Sequence, residues 1–232
     1  ICALIVFIIQ WVAFIPAFLF RSEYFFDLIG CLTFLLVIIF ALFFANSQDL
    51  RSILLGILII IWALRLGTFL FLRVKTKGYD SRFSVIKTDF LIFFTVWNLQ
   101  GLWILFTISS GLIALTSINK VSMEFFGYFG LEVWILGFFI EVVSDYQKMI
   151  FRSKKKNQEK FIKNGLWAWS RHPNYFGEVI IWVGITIIAI PVLTDWQYIS
   201  LLSPVFVTIL LTRISGIPIL EINAKIKWEN DL

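Results

Sequence analysis

Seven long apolar stretches constrain what this chain can fold into. Each approaches or exceeds the 20 or so residues that an α-helix needs to cross a membrane. Hydrophobic residues make up 59% of the 232 positions, with a mean hydropathy of +0.88, which excludes an ordinary soluble domain. No Pro-, Gly- or Ser-rich linker separates the stretches. We therefore predict an all-α integral membrane protein, one seven-helix bundle over residues 1–232, with spans near 1–20, 28–45, 53–72, 89–116, 125–143, 174–193 and 197–220.

The basic residues are concentrated in segments that would lie on one side of the membrane. Residues 73–87, residues 148–163 and the chain after the last span hold most of them, whereas the opposite loops carry only Arg51 and Lys120. The positive-inside rule predicts that the basic segments face the cytoplasm, with the N-terminus outside and the C-terminus inside. Membrane topology therefore accounts for the net charge of +5. We expect a lipid membrane and no nucleic acid as partner.

Several common kinds of site are excluded by the residues present. Cys2 and Cys31 together with one histidine, His172, cannot form a credible zinc or haem site, so no metal is predicted. A Ser/His/Asp hydrolase would rest on His172 alone, because no Gly-x-Ser-x-Gly motif accompanies it. The first span lacks the basic flank and small-residue cleavage site of a signal peptide, and we expect it to be a membrane helix.

Residues 165–178, at the start of the sixth span, form the densest polar cluster of the sequence. They read Gly-Leu-Trp-Ala-Trp-Ser-Arg-His-Pro-Asn-Tyr-Phe-Gly-Glu. Pro173 is typical of the first turn of a helix, which Ser170 or His172 could cap. The free N–H groups of that turn favour an anion, so Arg171 and His172 beside it suit a phosphate group. The polar residues that such a helix places on one face are Arg171, Asn174 or Tyr175, and Glu178.

An interfacial belt is the alternative interpretation of this cluster. In that case the tryptophans, Arg171 and Tyr175 would only anchor the span at the lipid headgroups. This does not account for Asn174 and Glu178, which would lie deeper, where polar groups without partners are costly. A functional site accounts for them better.

The end of the fifth span carries a second polar cluster. Glu141, Asp145, Lys148 and Arg152 follow spacings of four, three and four, and therefore share one helix face. Their charges could pair with one another along the helix. Alternatively, Asp145 could bind a ribose or adenine while Arg152 meets a phosphate. Because a short loop joins the two clusters, we expect them to lie together.

Polar residues also interrupt other spans. Asn98 and Gln100 in the fourth span are either polar contacts between helices or ligand donors. Arg65 and Arg213 lie inside the third and seventh spans, so we expect them to face the bundle interior and to meet an anion. The anion would be either a glutamate of the chain or a ligand.

Two acidic residues lie between the first and second spans. Glu23 and Asp27 are about one helical turn apart. They could pair with Arg21 or face cytoplasmic water. The functional alternative is an acid that polarises a substrate at the mouth of a cavity.

Together these motifs resemble the steroid 5-alpha-reductase family, especially its bacterial DUF1295 branch. The resemblance is strongest over residues 141–190. It implies a seven-helix protein of the bacterial inner membrane that binds NADPH at its cytoplasmic side and reduces a C=C bond conjugated to a carbonyl. The matching segments are Ser144-Asp145-Tyr146, Arg152, residues 165–178 and Trp182-Val183-Gly184, with weaker matches at Asn98 to Gly101, Arg213 and Ser215-Gly216.

The resemblance also implies roles for individual residues. Asp145 and Arg152 fall where the family holds the adenosine phosphate part of NADPH, and Asn174 and Glu178 fall at the nicotinamide end. Cations suit the 2′-phosphate that distinguishes NADPH from NADH. The reaction needs a donor at the substrate carbonyl. Further implied cofactor contacts are Arg171, His172, Tyr175, Arg213, Gln100 and Asn98, and the candidate catalytic residues are Glu23, Asp27 and Tyr175.

Two other functions stay open. Methyltransferases of the isoprenylcysteine carboxyl type, which bind S-adenosylmethionine, also carry Arg-His-Pro-x-Tyr before a helix. They rely on a glutamate-rich C-terminal segment, for which Glu221 is thin support here. The pair Asn174 and Glu178 favours the reductase. A scaffold or lipid-binding protein without activity is the third possibility. For the reductase we expect a monomer that takes a hydrophobic substrate from the bilayer, most specifically a 3-oxo-Δ4 steroid.

Overall fold

The computed structural model describes residues 1–45, 49–77, 83, 86–157, 160–218 and 220–222, with the backbone alone for 73–77. Helices dominate these ranges, which contain no strand. The α-helices are α1 Cys2–Leu19, α2 Phe26–Phe44, α3 Leu50–Lys77, α4 Phe90–Thr116, α5 Glu124–Ser153, α6 Pro173–Ala189 and α7 Ser203–Ile209. A 3-10 helix at Asp195–Leu202 precedes α7, and a π-helical turn at Leu210–Ile214 follows it.

Seven helical segments in the described ranges are long and apolar enough to cross a membrane. They are Cys2–Leu19, Phe26–Phe44, Leu50–Leu72, Phe90–Thr116, Glu124–Ser153, Pro173–Val192 and Asp195–Ile214. The prediction of an all-α protein with seven candidate membrane-spanning helices is therefore confirmed. The fifth helix runs beyond the span predicted at 125–143 and continues through Asp145 and Lys148 to Ser153, which agrees with the single helix face expected from Glu141 to Arg152.

The chain divides into two compact units. The first comprises Ile1–Ser122 with Val192–Ser200, and the second comprises Met123–Pro191 with the chain from Leu201 onwards. Helices α1 to α4 therefore belong to the first unit, and α5, α6 and α7 belong to the second.

Aromatic packing joins α1 to α4 in the first unit. Phe14 of α1 and Phe93 and Trp97 of α4 form a buried cluster with Phe83. The ring centroids of Phe14 and Phe93 are 5.8 Å apart, and those of Phe93 and Trp97 are 6.1 Å apart. Tilted and edge-on contacts at these distances are favourable for aromatic rings.

Charged residues tie the start of α3 to the segment after α4 in the same unit. The buried Arg51 guanidinium donates to the backbone carbonyls of Val121 and Ser122. The Lys120 ammonium pairs with the Asp49 carboxylate at 3.1 Å.

Glycines bring the backbones of α5 and α6 together in the second unit. A Cβ atom at Gly137 would lie 2.8 Å from the Gly177 carbonyl, and one at Gly130 would lie 2.8 Å from the Gly184 carbonyl. Small residues seven positions apart on each helix thus form a continuous close contact, as is common between membrane helices. This contact fixes the face of α5 that lies against α6.

Candidate functional site

The motif at residues 165–178 forms the entry to α6, as predicted. The helix begins at Pro173, and His172 is the N-cap residue. The Ser170 hydroxyl accepts a hydrogen bond from the His172 backbone N–H at 3.2 Å, and no side chain caps the helix. The first turn therefore keeps N–H groups that side-chain capping would otherwise use, and such groups suit an anion.

One carboxylate contacts both basic side chains of the motif. Glu221, which follows the last span, places Oε2 2.8 Å from Nη2 of Arg171 and Oε1 2.9 Å from Nε2 of His172. The His172 side chain is 14% exposed and that of Glu221 is 25% exposed, so solvent weakens the contact only in part. The contact with Nε2 orients the imidazole, and the contact with Arg171 holds the carboxylate in place.

Tyr175 lies against the other side of this arrangement. Its ring stacks on His172 with centroids 5.7 Å apart and an interplanar angle of 16°. A Cβ atom at Gly216 would come within 3.1 Å of Cε2 of Tyr175. The absence of a side chain at Gly216 therefore lets the chain after the last span pack close to the tyrosine.

Two buried polar atoms at the start of α6 have no hydrogen-bond partner in the part of the chain that the structure describes. They are Nδ1 of His172 and Oδ1 of Asn174. Burying such an atom without a partner costs about 1–3 kcal/mol. Such atoms call for a partner that the described residues do not supply, such as a water, an ion or a ligand.

Two buried glutamates flank the close contact of α5 and α6. Glu178, one turn after Asn174, is 7% exposed, and Glu141 on α5 is 2% exposed. The backbone N of Glu141 lies 2.7 Å from where a Cβ atom of Gly177 would stand. Neither carboxylate is isolated, and both add acceptor oxygens to this part of the second unit.

The loop before α6 is fastened to α5. The Gln147 side-chain carbonyl accepts from the Leu166 backbone N–H at 3.0 Å, and the Trp167 indole donates to the Ser144 carbonyl at 2.9 Å. The Lys148 ammonium lies 4.5 Å from the Trp167 ring centroid. The predicted proximity of the two polar clusters is thereby confirmed.

A glycine permits this fastening. Gly165 has φ of +62°, and a Cβ atom there would stand 2.5 Å from the Gln147 amide. A left-handed backbone of this kind favours glycine.

The chain matches, over residues 13–231, the model of a family described as a protein of unknown function, DUF1295. It belongs to this family. No curated protein and no solved structure matches the chain.

In this DUF1295 protein, α5 provides two of the predicted cofactor residues with different exposure. Asp145 is 6% exposed, whereas Arg152 is exposed near the end of the helix. A buried acid followed two turns later by an accessible cation is compatible with a ligand that carries both hydroxyl and phosphate groups.

One expectation about the buried arginines is wrong. Arg213 is exposed in the π-helical turn Leu210–Ile214, which forms the C-terminal end of the last span Asp195–Ile214. Arg65 is half-buried, with its guanidinium carbon 5.5 Å from the Phe69 ring centroid. It is therefore partly covered by an aromatic ring of its own helix.

The predicted cofactor residues of the fourth span belong to the first unit. Oδ1 of Asn98 accepts from the Trp11 indole at 3.0 Å, and its Nδ2 donates to the Phe94 carbonyl at 2.7 Å. Nε2 of Gln100 donates to the Phe26 carbonyl at 3.1 Å. These contacts are those of polar residues that join helices; a role at the cofactor stays a prediction for both.

The predicted catalytic acids also belong to the first unit. The buried Glu23 carboxylate pairs with the Lys87 ammonium at 2.6 Å, a partner that the sequence interpretation did not name. Asp27 is half-buried in the first turn of α2. Whether either acid contacts a substrate stays a prediction.

Glu221 is the site residue that the sequence interpretation missed as a cofactor neighbour. It was considered only as support for a methyltransferase. The signal that could have found it is charge: it is the first acidic residue after Asp195. Its partners are Arg171 and His172.

Proposed function

We propose that the protein is an NADPH-dependent membrane reductase that transfers a hydride to the C=C bond of an enone lipid, most specifically a 3-oxo-Δ4 steroid. The observation that carries the proposal is the pair of buried atoms at the start of α6, Nδ1 of His172 and Oδ1 of Asn174, for which the described residues provide no hydrogen-bond partner. The DUF1295 family is associated with steroid 5-alpha-reductase-like proteins, which supports the same conclusion.

The residues at this site fit the polar groups of NADPH. In the tautomer that donates Nε2–H to Glu221, Nδ1 of His172 is an acceptor. Asn174 presents a second acceptor. An amino or carboxamide N–H₂ group, present on both the adenine and the nicotinamide of NADPH, can supply donors to such atoms.

Cations near α6 and α5 suit the phosphates. The Arg171 side chain is 54% exposed while it pairs with Glu221, so its remaining N–H donors stay accessible. The uncapped first turn of α6 adds backbone donors. Arg152 and Asp145 would hold the adenosine phosphate part, and Glu178 would lie at the nicotinamide end.

Bound NADPH supplies the hydride in this chemistry. The chain must supply a hydrogen-bond donor where negative charge develops on the substrate carbonyl. Tyr175, stacked on the ring of His172, is the candidate in the second unit, and Glu23 and Asp27 are the candidates in the first. Glu221 acts by holding His172, not by touching substrate.

The membrane setting is part of the proposal. We propose a bacterial inner-membrane monomer with the N-terminus outside, and with the C-terminus and the NADPH site in the cytoplasm. The hydrophobic substrate enters from the bilayer. In a background without Cys2 and Cys31, Lys155→Cys should react with impermeant maleimide only from the cytoplasmic face and Asn119→Cys only from the other. The reverse labelling would overturn this topology.

Binding of NADPH to the detergent-purified protein tests the function. Saturable binding that Asn174→Ala and Arg152→Ala each weaken about tenfold or more is expected, because each removes a direct contact. Asn119→Ala and Lys155→Ala are matched controls outside the site. Binding should be followed by NADPH oxidation with 3-oxo-Δ4 steroids. A well-folded protein that does not bind NADPH would contradict the proposal.

A methyltransferase that uses S-adenosylmethionine is the second candidate. The observation that favours it is the pairing of Glu221 with Arg171 and His172, because that type of enzyme relies on C-terminal glutamates beside the same motif. Saturable binding of S-adenosylmethionine in place of NADPH would select this function.

A further inference from the structure

A cavity of about 390 Å³ lies beside the C-terminal end of α5. Its lining also includes Gln147, whose side chain holds the loop before α6. Ile150 is five residues from the buried Asp145 and so lies about 140° away around the helix. Both basic and apolar side chains line the cavity. Residues that line it include Tyr146, Ile150, Phe151, Lys154, Lys156 and Asn164.

The polar side of the cavity is positively charged. Lys154 and Lys156 are exposed, and neither forms an ion pair with a described residue. The Asn164 amide adds a neutral polar group. Two ammonium groups at one cavity, without an ion pair among the described residues, favour a compact anion such as a phosphate group.

The apolar side of the cavity continues along α5. The helix has 30 residues and is therefore about 45 Å long, whereas the hydrocarbon core of a bilayer is about 30 Å thick. One end of α5 must then lie at headgroup level, and its basic end is the one expected there. Exposed apolar residues at helical spacing run toward the cavity: Phe125, Phe129, Leu136, Phe139 and Ile150.

We propose that this cavity binds the headgroup of an anionic phospholipid, with an acyl chain lying along the exposed apolar stripe of α5. The phosphate group meets Lys154 and Lys156, and the glycerol and upper acyl atoms meet Tyr146, Ile150 and Phe151. Charge and polarity change along the cavity in the order in which they change along a phospholipid. The site thus differs from diffuse attraction between basic loops and a membrane surface, because it requires these two lysines and not their neighbours.

Native mass spectrometry of the full-length protein in detergent tests the proposal. Phosphatidylglycerol should be retained about tenfold more than phosphatidylcholine, and the double variant Lys154→Gln/Lys156→Gln should remove this preference. Lys160→Gln/Lys163→Gln is the matched control, since it removes the same charge from the same basic segment outside the cavity lining. The control should keep the preference within about twofold.

A second variant tests the cavity without removing a lysine. Asn164→Asp places a negative charge in the lining and should reduce phosphatidylglycerol retention while phosphatidylcholine retention stays unchanged. Equal loss in the Lys160→Gln/Lys163→Gln control would overturn the proposal in favour of diffuse attraction. Competition by inorganic phosphate without any preference between the two lipids would overturn it in favour of a soluble anion.

Discussion

Nε2 of His172 lies 2.9 Å from Oε1 of Glu221, a residue 49 positions further along the chain. The other oxygen of the same carboxylate pairs with Arg171. The acid therefore neutralises part of the motif's positive charge while it orients the imidazole. Because Nε2 faces Glu221, Nδ1 is the ring nitrogen left for a ligand.

Glu221→Gln should weaken NADPH binding by about tenfold or more. The amide is nearly the same size but carries no charge, and hydrogen bonds to charged groups contribute about 1.5–3 kcal/mol. His172 would lose its fixed orientation and Arg171 its ionic partner. Binding of NADPH to purified protein, titrated by the change in its fluorescence, measures the effect.

Asp195→Asn is the control for this variant. It makes the same chemical change at an exposed acid in the first unit and should leave NADPH affinity within about twofold. If both variants bind NADPH as tightly as the wild type, Glu221 does not position the site.

The bounds of the membrane-spanning helices could be predicted closely, because the length of each apolar stretch nearly determines where its helix begins and ends. The sixth span was predicted to begin at residue 174 and begins at Pro173, as the restricted φ of proline and the polar-to-apolar change together indicate. The fifth span was predicted to end at residue 143, with the charged residues up to Arg152 continuing on one helix face. Hydropathy falls at Asp145, but helical hydrogen bonding continues to Ser153.

The candidate site could be predicted only where its residues lie close in sequence. The joining of Trp167 to α5 was expected, because a short loop connects the two clusters. The pairing of Glu221 with His172 depends on the path of the chain after the last span, including the close approach at Gly216. The exposure of Arg213 depends on where the regular helix ends. Neither follows from local pattern.

The glycine contact between α5 and α6 predicts a position-specific effect of added methyl groups. Gly137→Ala would place Cβ 2.7 Å from the Ile181 backbone N. Backbone cannot move aside as a side chain can, so the free energy of unfolding should fall by about 1–3 kcal/mol. Thermal unfolding in detergent measures the change.

Gly127→Ala on the same helix is the matched control. Its Cβ would meet only the flexible end of Met123, at 2.8 Å from Cε. The methionine can change rotamer, and alanine favours a helix over glycine, so stability should be unchanged or higher. Equal destabilisation by both variants would show that the close contact of α5 and α6 is not the cause.

Trp11 and Asn98 should be energetically coupled across α1 and α4. Their hydrogen bond is 3.0 Å long, and such bonds between membrane helices contribute on the order of 0.6 kcal/mol. A double-mutant cycle of Trp11→Phe and Asn98→Leu should therefore give a coupling energy of about 0.5–1 kcal/mol in unfolding. A loss of NADPH affinity in Asn98→Leu without coupling would instead support the predicted cofactor role of Asn98.

The ion pair of Asp49 and Lys120 should make stability depend on pH. Partial burial by itself raises the pKa of the Asp49 carboxyl, but hydrogen bonds from Ser52 and Lys120 and the Lys120 charge outweigh it, so the pKa lies below its ordinary value. A carboxyl with a lower pKa in the folded than in the unfolded protein stabilises the fold above its unfolded pKa. It loses that contribution as the pH falls through the folded pKa.

Wild-type protein should therefore unfold at a higher temperature than Asp49→Asn at neutral pH, and the difference should shrink as the pH falls below about 4. The corresponding difference in the free energy of unfolding should not exceed about 1 kcal/mol, because the ion pair is only partly buried. Lys120→Gln removes the partner and keeps the acid. The stability difference between wild type and Lys120→Gln should therefore shrink over the same pH range. A difference between wild type and Asp49→Asn that persists unchanged into acid would mean that Asp49 contributes through packing and not through its charge.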